Sequence, residues 1–309
     1  MAIDYILFVH GVRQRSRVEF INTSQGLLQT IRDSNQDSNR LIKPIYLFWG
    51  DLNVEPQAKL RSGLQASSQW SKLWMQQFRS EAVLEFVGDA ALYLSRHVGA
   101  QVVRRFHEAM QIIAQPSAPG DRLHLVTHSM GTVILFDLLF AARWEDPRLD
   151  TDASTQDIRP LIAQIRNILF GLGSDQNIGM PIASIHTLGS PLALFSLLSV
   201  TGESTHDLTS NLRVLLQKLY RQRGMRSLPW CNLIHPGDPI AYPLQGVMAQ
   251  MLSSAQLYVH TRDVITERSN PLINIGLFPL LKAEKAHNSY WQNRVTADTI
   301  IKNMRLQQH

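Results

Sequence analysis

Residues 121–140, DRLHLVTHSMGTVILFDLLF, change character halfway along. The first half is short, apolar and rich in β-branched residues, as a buried strand is. The second half, from Met130 onward, is an apolar run too long for one strand and suited to a buried helix. Only Thr127-His128-Ser129-Met130-Gly131 is left for the turn between them. Gly131 keeps that corner clear where helix and strand backbones approach, and Ser129 stands at its apex. A strand that passes so directly into a helix commits this part of the chain to an α/β unit.

The remaining pattern extends that unit. DYILFVHG (4–11) and LIKPIYLFWGD (41–51) are β-rich runs closed by glycine, and IASIHTLGSPL (182–192) ends in Gly-Ser-Pro. NLIHPGDPIAYPL (232–244) and QLYVHTRDVI (256–265) supply two further strands. Helices are expected over 16–33, 159–170 and 289–306. Strands alternating with helices imply a mostly parallel sheet covered on both faces. No repeat or linker divides the chain, so residues 1–309 read as a single domain, with 52–98 and 144–180 as lid or insert segments. Within the first insert, Trp70, Trp74 and Phe78 recur at four-residue intervals. Val83, Val87, Ala90, Leu94 and Val98 follow with helical spacing. These stripes suit core packing, and the aromatic one also suits a lid over an apolar pocket.

Composition narrows the function classes. With 44% hydrophobic and 18% charged residues, the chain has the balance of a globular enzyme. Thirty Lys+Arg against 25 Asp+Glu leave a net +5 without a polybasic block, which argues against a nucleic-acid partner. The single cysteine, Cys231, excludes an intramolecular disulfide and fits a reducing compartment. The N-terminal segment lacks the charged n-region and length of a signal peptide, and no apolar run reaches bilayer-spanning length. The expectation is a cytoplasmic protein, with reversible contact at a membrane surface left open.

A serine hydroxyl is a poor nucleophile at neutral pH. It needs a base, a group that orients the base, and donors for the oxyanion that forms. The rival reading of Ser129 is a helix N-cap, a position serine fills well.

LFVHG, LVTHSMGTVI, TLGSPL, HPGDPIAYPL and AHNSYW follow one another in an order that resembles α/β-hydrolase-fold lipases and esterases. The similarity is closest to hydrolases of lipid esters and spans residues 5–291; roughly 52–98, 144–180 and 200–228 match no motif of that family. The resemblance implies an α/β-hydrolase fold, with a mostly parallel central sheet flanked by helices and helical lid segments. Its usual G-x-S-x-G corner carries Thr127 here at the first position, a larger residue than that pattern favours.

The family order is Ser, then Asp or Glu, then His. Asp238, directly after the strand that opens 232–244, is the acid this order selects. Gly-Asp-Pro is also a normal turn, and Asp207 and Asp263 are weaker rivals. His287, in a loop before the last helix, is the base selected over His10, His128, His235 and His260. The resemblance places the oxyanion donors at the backbone N–H groups of Val12 and Met130. His10 and Gly11 bend the chain there as structural support, beside Gly131.

It implies a serine hydrolase of carboxylic esters, lipid or acyl esters foremost, that works through an acyl-enzyme with no cofactor and no metal. The partner is a small-molecule or lipid ester. An acyltransferase or thioesterase with the same residues, and a non-catalytic binding protein of the same fold, are the alternatives.

Overall fold

The computed structural model describes residues 1–35, 39–114, 118, 120–170, 180, 182–195, 207–267 and 279–305. One sheet holds β1 (Ala2–Val9), β2 (Arg40–Leu47), β3 (Arg122–His128), β4 (Ile182–Leu188), β5 (Leu228–Ile234) and β6 (Val259–Ile265). The strand order is β2-β1-β3-β4-β5-β6, with every neighbouring pair parallel.

Helices link and cover the strands. They are α1 (Arg17–Ser34), α2 (Val54–Gln65), α3 (Leu84–Leu94), α4 (Arg96–Met110), α5 (Met130–Phe140) and α6 (Ile158–Phe170). After β4 follow α7 (Leu192–Phe195), α8 (Thr209–Gln222), α9 (Gln245–Leu252), α10 (Pro279–Asn288) and α11 (Arg294–Arg305). The chain is therefore α/β, a six-stranded parallel sheet flanked by helices. The Gly-rich stretch 171–179 lies outside the described residues.

Alternation along β1 explains the layering. Tyr5, Leu7 and Val9 face a core built with α4, α5, α6 and α8, whereas Ile6 and Phe8 face one built with α1 and α11. Both faces are apolar because both are covered, which is why the strands read as continuous apolar runs. Every residue of α5 is buried, and Phe136 stacks on Trp230 of β5 at 4.9 Å. The described part of 144–180 packs on this side: Ile158, Ile162, Ile165 and Ile168 of α6 join the core. Arg104 of α4 forms a two-pronged bond with Asp157.

A polar row crosses the opposite face, under α1 and α11. Asp4 takes two bonds each from Arg40 and Arg122. Burial would raise its pKa, but Arg40, His124 and Arg122 together hold it well below the usual carboxylate range. A charged carboxylate only accepts, so His124 points Nε2–H at it, at 3.4 Å. His124 Nδ1 then accepts from Ser184 Oγ at 2.7 Å, and Ser184 Oγ accepts from His186 Nε2–H at 2.9 Å. His186 Nδ1, at the end of the row, is buried without a partner among the described residues.

Residues 54–94 depart from the sequence expectation. Trp70, Trp74 and Phe78 do not lie on one helix. Trp70–Lys72 is a 3-10 turn, Met75 has φ 57°, and Phe78–Val83 is a π-helical stretch leading into α3. The segment is a helical hairpin, α2 against α3, with its tip near Met75. Core packing fails as an account of the aromatic stripe, since Trp74 is 86% exposed. Val83, Val87 and Leu94 also face outward, while Val98 on α4 is buried. Helical spacing identified an apolar stripe without saying which way it faces.

Candidate active site

Ligands in open parallel sheets bind outside the carboxyl ends of the strands, where the order reverses. Here the chain runs from β1 outward to β2 and then returns to the other side of β1 as β3. The crevice thus lies between the exits of β1 and β3, and Ser129 is the first residue after β3. Its backbone, at φ 53° and ψ −133°, occupies a region that L-residues rarely adopt. The ladder continues through the corner: Ser129 N–H donates to Leu188 O at 2.9 Å. The Ser129 hydroxyl does not cap α5; Oγ is fully buried and finds no hydrogen-bond partner among the described residues. Thr127 fits because its hydroxyl turns inward to the Thr132 hydroxyl, 2.8 Å away.

Register sets a glycine on each side of that serine. Val9 pairs with Thr127, so Gly11 lies level with Ser129 on one side. His128 pairs with Leu188, so Gly189 lies level with it on the other. A Cβ on Gly11 would sit 2.5 Å from Ser129 Cβ and 3.0 Å from Oγ. A Cβ on Gly189 would sit 2.6 Å from Asp238 Oδ2 and 3.2 Å from His287 Nδ1. The two missing side chains are the spaces that the hydroxyl and the carboxylate–imidazole pair occupy. Gly131 serves similarly, since a Cβ there would lie 2.3 Å from His10 O.

Asp238 follows β5 in a turn, and its side chain is fully buried. Its Oδ2 lies 2.8 Å from His287 Nδ1 and accepts from the Tyr290 hydroxyl at 2.8 Å, while Oδ1 accepts from Ile240 N–H at 3.1 Å. Burial raises the Asp238 pKa, but the hydrogen bond and electrostatic pull of His287, with Tyr290 and Ile240, outweigh it and leave a net lowering. Asp238 therefore accepts as a carboxylate, and His287 presents Nδ1–H to it. His287 Nε2 then carries the free lone pair; it too is buried without a hydrogen-bond partner among the described residues. His287 lies near the C-terminus of α10, not in a loop. Ser129 Oγ and His287 Nε2 make no hydrogen bond to each other.

The exit of β1 is built around His10. Trp49 N–H donates to His10 Nε2 at 3.1 Å, which leaves the ring proton on Nδ1 for Gly11 O at 2.6 Å. The Trp49 indole donates to His10 O and stacks on the imidazole at 5.2 Å. Burial, aided by Arg15, pushes the His10 pKa down to about 3, against a smaller opposing pull from the Gly11 carbonyl. His10 is thus a neutral brace. The next residues are clamped from outside: fully buried Asp89 of α3 accepts from Arg13 N–H at 2.7 Å. It also accepts from Arg15, Asn53 and Gln57. Arg13 reaches Glu85 on α3 and Glu284 on α10, so one side chain ties hairpin, loop and the His287 helix together. Between these braces lies Val12. Met130 opens α5, in whose first turn the backbone N–H groups have no intrahelical acceptor.

The rival residues have other work. Asp207 accepts from Thr209 N–H just before α8, and Asp263 accepts from Asn232, Leu244 and Gln245. His235 Nδ1 accepts from Gly237 N–H, and Nε2 meets Glu267 at 3.2 Å. Three participants escaped the sequence reading: Tyr290, Gly189 and Asp89. Tyr290, three residues after His287 within AHNSYW, was the most legible. Asp89 carries no local signal that sets it apart within its helix. Among the described residues, no cluster of three His, Cys, Asp or Glu is arranged to hold a metal ion. No protein-family model, curated protein or solved structure matches this chain.

Proposed function

We propose that the chain is a serine hydrolase of carboxylic esters, lipid or other acyl esters in particular, on an α/β-hydrolase fold. One observation carries the reading. A hydroxyl on a strained backbone and an imidazole nitrogen oriented by a buried carboxylate lie at the same sheet edge, and neither has a hydrogen-bond partner among the described residues. Buried polar atoms are normally satisfied, and each exception calls for an explanation, a catalytic role being one. The chain order Ser129, Asp238, His287 and the strand–corner–helix setting of the serine agree with the nucleophile elbow of that fold.

Ser129 Oγ attacks the ester carbonyl carbon as His287 Nε2 takes its proton. Asp238 holds the imidazole tautomer and stabilises the imidazolium. The N–H groups of Val12 and Met130 bind the tetrahedral oxyanion. Its collapse breaks the bond to the alkoxide, which leaves with the proton from Nε2. Water then repeats the sequence on the acyl-enzyme, releasing the acid and restoring Ser129. The Oγ–Nε2 bond forms as substrate binds; such bonds are often open in the empty site.

Fluorophosphonate labelling of wild type beside Ser129→Ala tests the reading. Labelling is expected on Ser129 and absent from the variant, with turnover of p-nitrophenyl esters that varies with acyl length. Equal labelling of both proteins, or no adduct and no turnover across short and long esters, overturns it.

A further inference from the structure

We propose that the tip of the α2–α3 hairpin docks on an anionic lipid bilayer. This surface is separate from the candidate active site, and its docking does not depend on the hydrolase reading.

The tip is apolar and faces solvent. Leu73, Trp74 and Met75 are 39%, 86% and 60% exposed. Met75 lies in the left-handed region, uncommon for a bulky residue, and the resulting turn presents these side chains outward. Arg79 fixes the turn by donating Nε–H to Trp74 O at 3.0 Å. From the tip, the outer face of the hairpin continues through Val83 and Val87, one helical turn apart and both exposed.

Charge selects the partner. Residues 56–80 contain Lys59, Arg61, Lys72 and Arg79 and no Asp or Glu. Over the whole hairpin, 54–94, these four cations are balanced by Glu55, Glu81, Glu85 and Asp89, but Arg61 pairs with Glu85 and Asp89 is buried against Arg15, so Lys72 and Arg79 are the cations that flank the tip. An apolar tip with an indole among cations has the composition that seats at the headgroup boundary of an anionic membrane. A protein partner is the weaker occupant, because three side chains at a tip fall short of the ~800 Å² per partner that stable protein interfaces cover. The hairpin arises just past the end of β2, at the sheet edge that carries Ser129, and Asp89 fastens it to the β1 exit. Docking by the tip thus brings that edge toward the bilayer.

Co-sedimentation of the full chain with vesicles tests the proposal, comparing phosphatidylcholine alone with phosphatidylcholine plus phosphatidylglycerol. Wild type is expected to bind the anionic vesicles and to lose binding as salt is raised. Trp74→Ala with Met75→Ser should weaken binding about tenfold or more, given the apolar area removed. Lys59→Gln and Lys72→Gln should each weaken it about fivefold. Brominated lipid should quench wild-type tryptophan emission and quench Trp74→Phe much less. Unchanged vesicle binding by the Trp74/Met75 variant, or no preference for anionic vesicles, overturns the proposal. Ser129→Ala should bind vesicles like wild type, and the tip variant should keep wild-type turnover of a soluble short ester. Loss of labelling at Ser129 with binding intact would therefore count against the hydrolase reading alone.

Discussion

His128 Nε2–H donates to the carbonyl oxygen of His287 at 2.7 Å, and the two imidazoles lie 4.6 Å apart, tilted by 36°. The residue beside the serine thus grips the backbone of the proposed base. Burial and the neighbouring His287 push the His128 pKa down to about 3, so this ring is a neutral donor through Nε2 and takes no part as a second base. His128→Phe keeps an aromatic ring there but loses the donor. We expect kcat on a soluble ester to fall about tenfold to a hundredfold with KM little changed, since a small misplacement of a catalytic group has that effect. A change in KM alone would mean that the bond serves substrate binding.

Gly189→Ala should be more damaging than its size suggests. Gly189 has φ +55°, and a Cβ there would press within 2.6 Å of both Asp238 Oδ2 and Tyr290 Cε2. Left-handed backbone costs an alanine about 1–2 kcal/mol, and the clash adds about as much again. We expect about 3 kcal/mol lost in urea unfolding, together with esterase turnover. Gly224 is the control: it shares the positive φ of +63° but has open space around its Cβ position. Gly224→Ala should therefore cost only the backbone part.

The contrast between these glycines marks what the sequence could reveal. The strands and the Ser129 corner were legible because each rests on local pattern, apolar runs and tight-turn residues; Asp238 and His287 were selected by the order that the family resemblance implies, and the structure pairs them with each other. Gly189 stands within TLGSPL, yet its place depends on β3–β4 register, a non-local property that periodicity does not encode. The outward face of Val83 and Val87 was illegible for the same reason. A helical stripe has one direction only once something is packed against it, and nothing among the described residues covers that face of the hairpin.

Asp89 should behave as the fastening of the hairpin. It is fully buried and accepts from Arg13, Arg15, Asn53 and Gln57, so Asp89→Ala strands several donors at once. Removing one partner of a buried charged pair typically costs about 3–5 kcal/mol. The expected outcome is faster hydrogen exchange and protease cleavage within 54–94, with β3 and α5 still protected. Turnover should fall as well, because Arg13 N–H directly follows the Val12 amide in the same loop. Uniform loss of protection across the sheet would instead make Asp89 a determinant of the whole fold.

Acid should unfold the protein before its carboxylates titrate. His10, His128 and His186 are buried and neutral, each with a pKa lowered to about 3 by burial first of all. Unfolded, they titrate near 6.5, so between about pH 6.5 and 3 the unfolded chain binds up to three more protons than the native one. Stability is complete above the unfolded value and drains as pH falls, at about 4 kcal/mol per pH unit in mid-window. Circular dichroism against pH should show a steep loss between pH 6 and 4. His186→Gln, remote from Ser129, should reduce the slope by about one proton; an unchanged slope would show that His186 is not held neutral.

Ser129 itself offers a test of whether backbone strain is stored at the corner. Its φ of 53° and ψ of −133° suit glycine far better than serine. Conformations of this kind cost about 1–3 kcal/mol and persist where the surroundings enforce them. Ser129→Gly relieves that strain but loosens the unfolded chain by about 0.5–1 kcal/mol, so the net expectation is a gain of about 1 kcal/mol. Ser129→Ala keeps the strain and removes only the unpaired hydroxyl. Both variants should be inactive, so the denaturation midpoints carry the information. Glycine should be the more stable of the two; alanine equal or higher would show that the corner is relaxed and that its geometry is no trace of selection for a reactive hydroxyl.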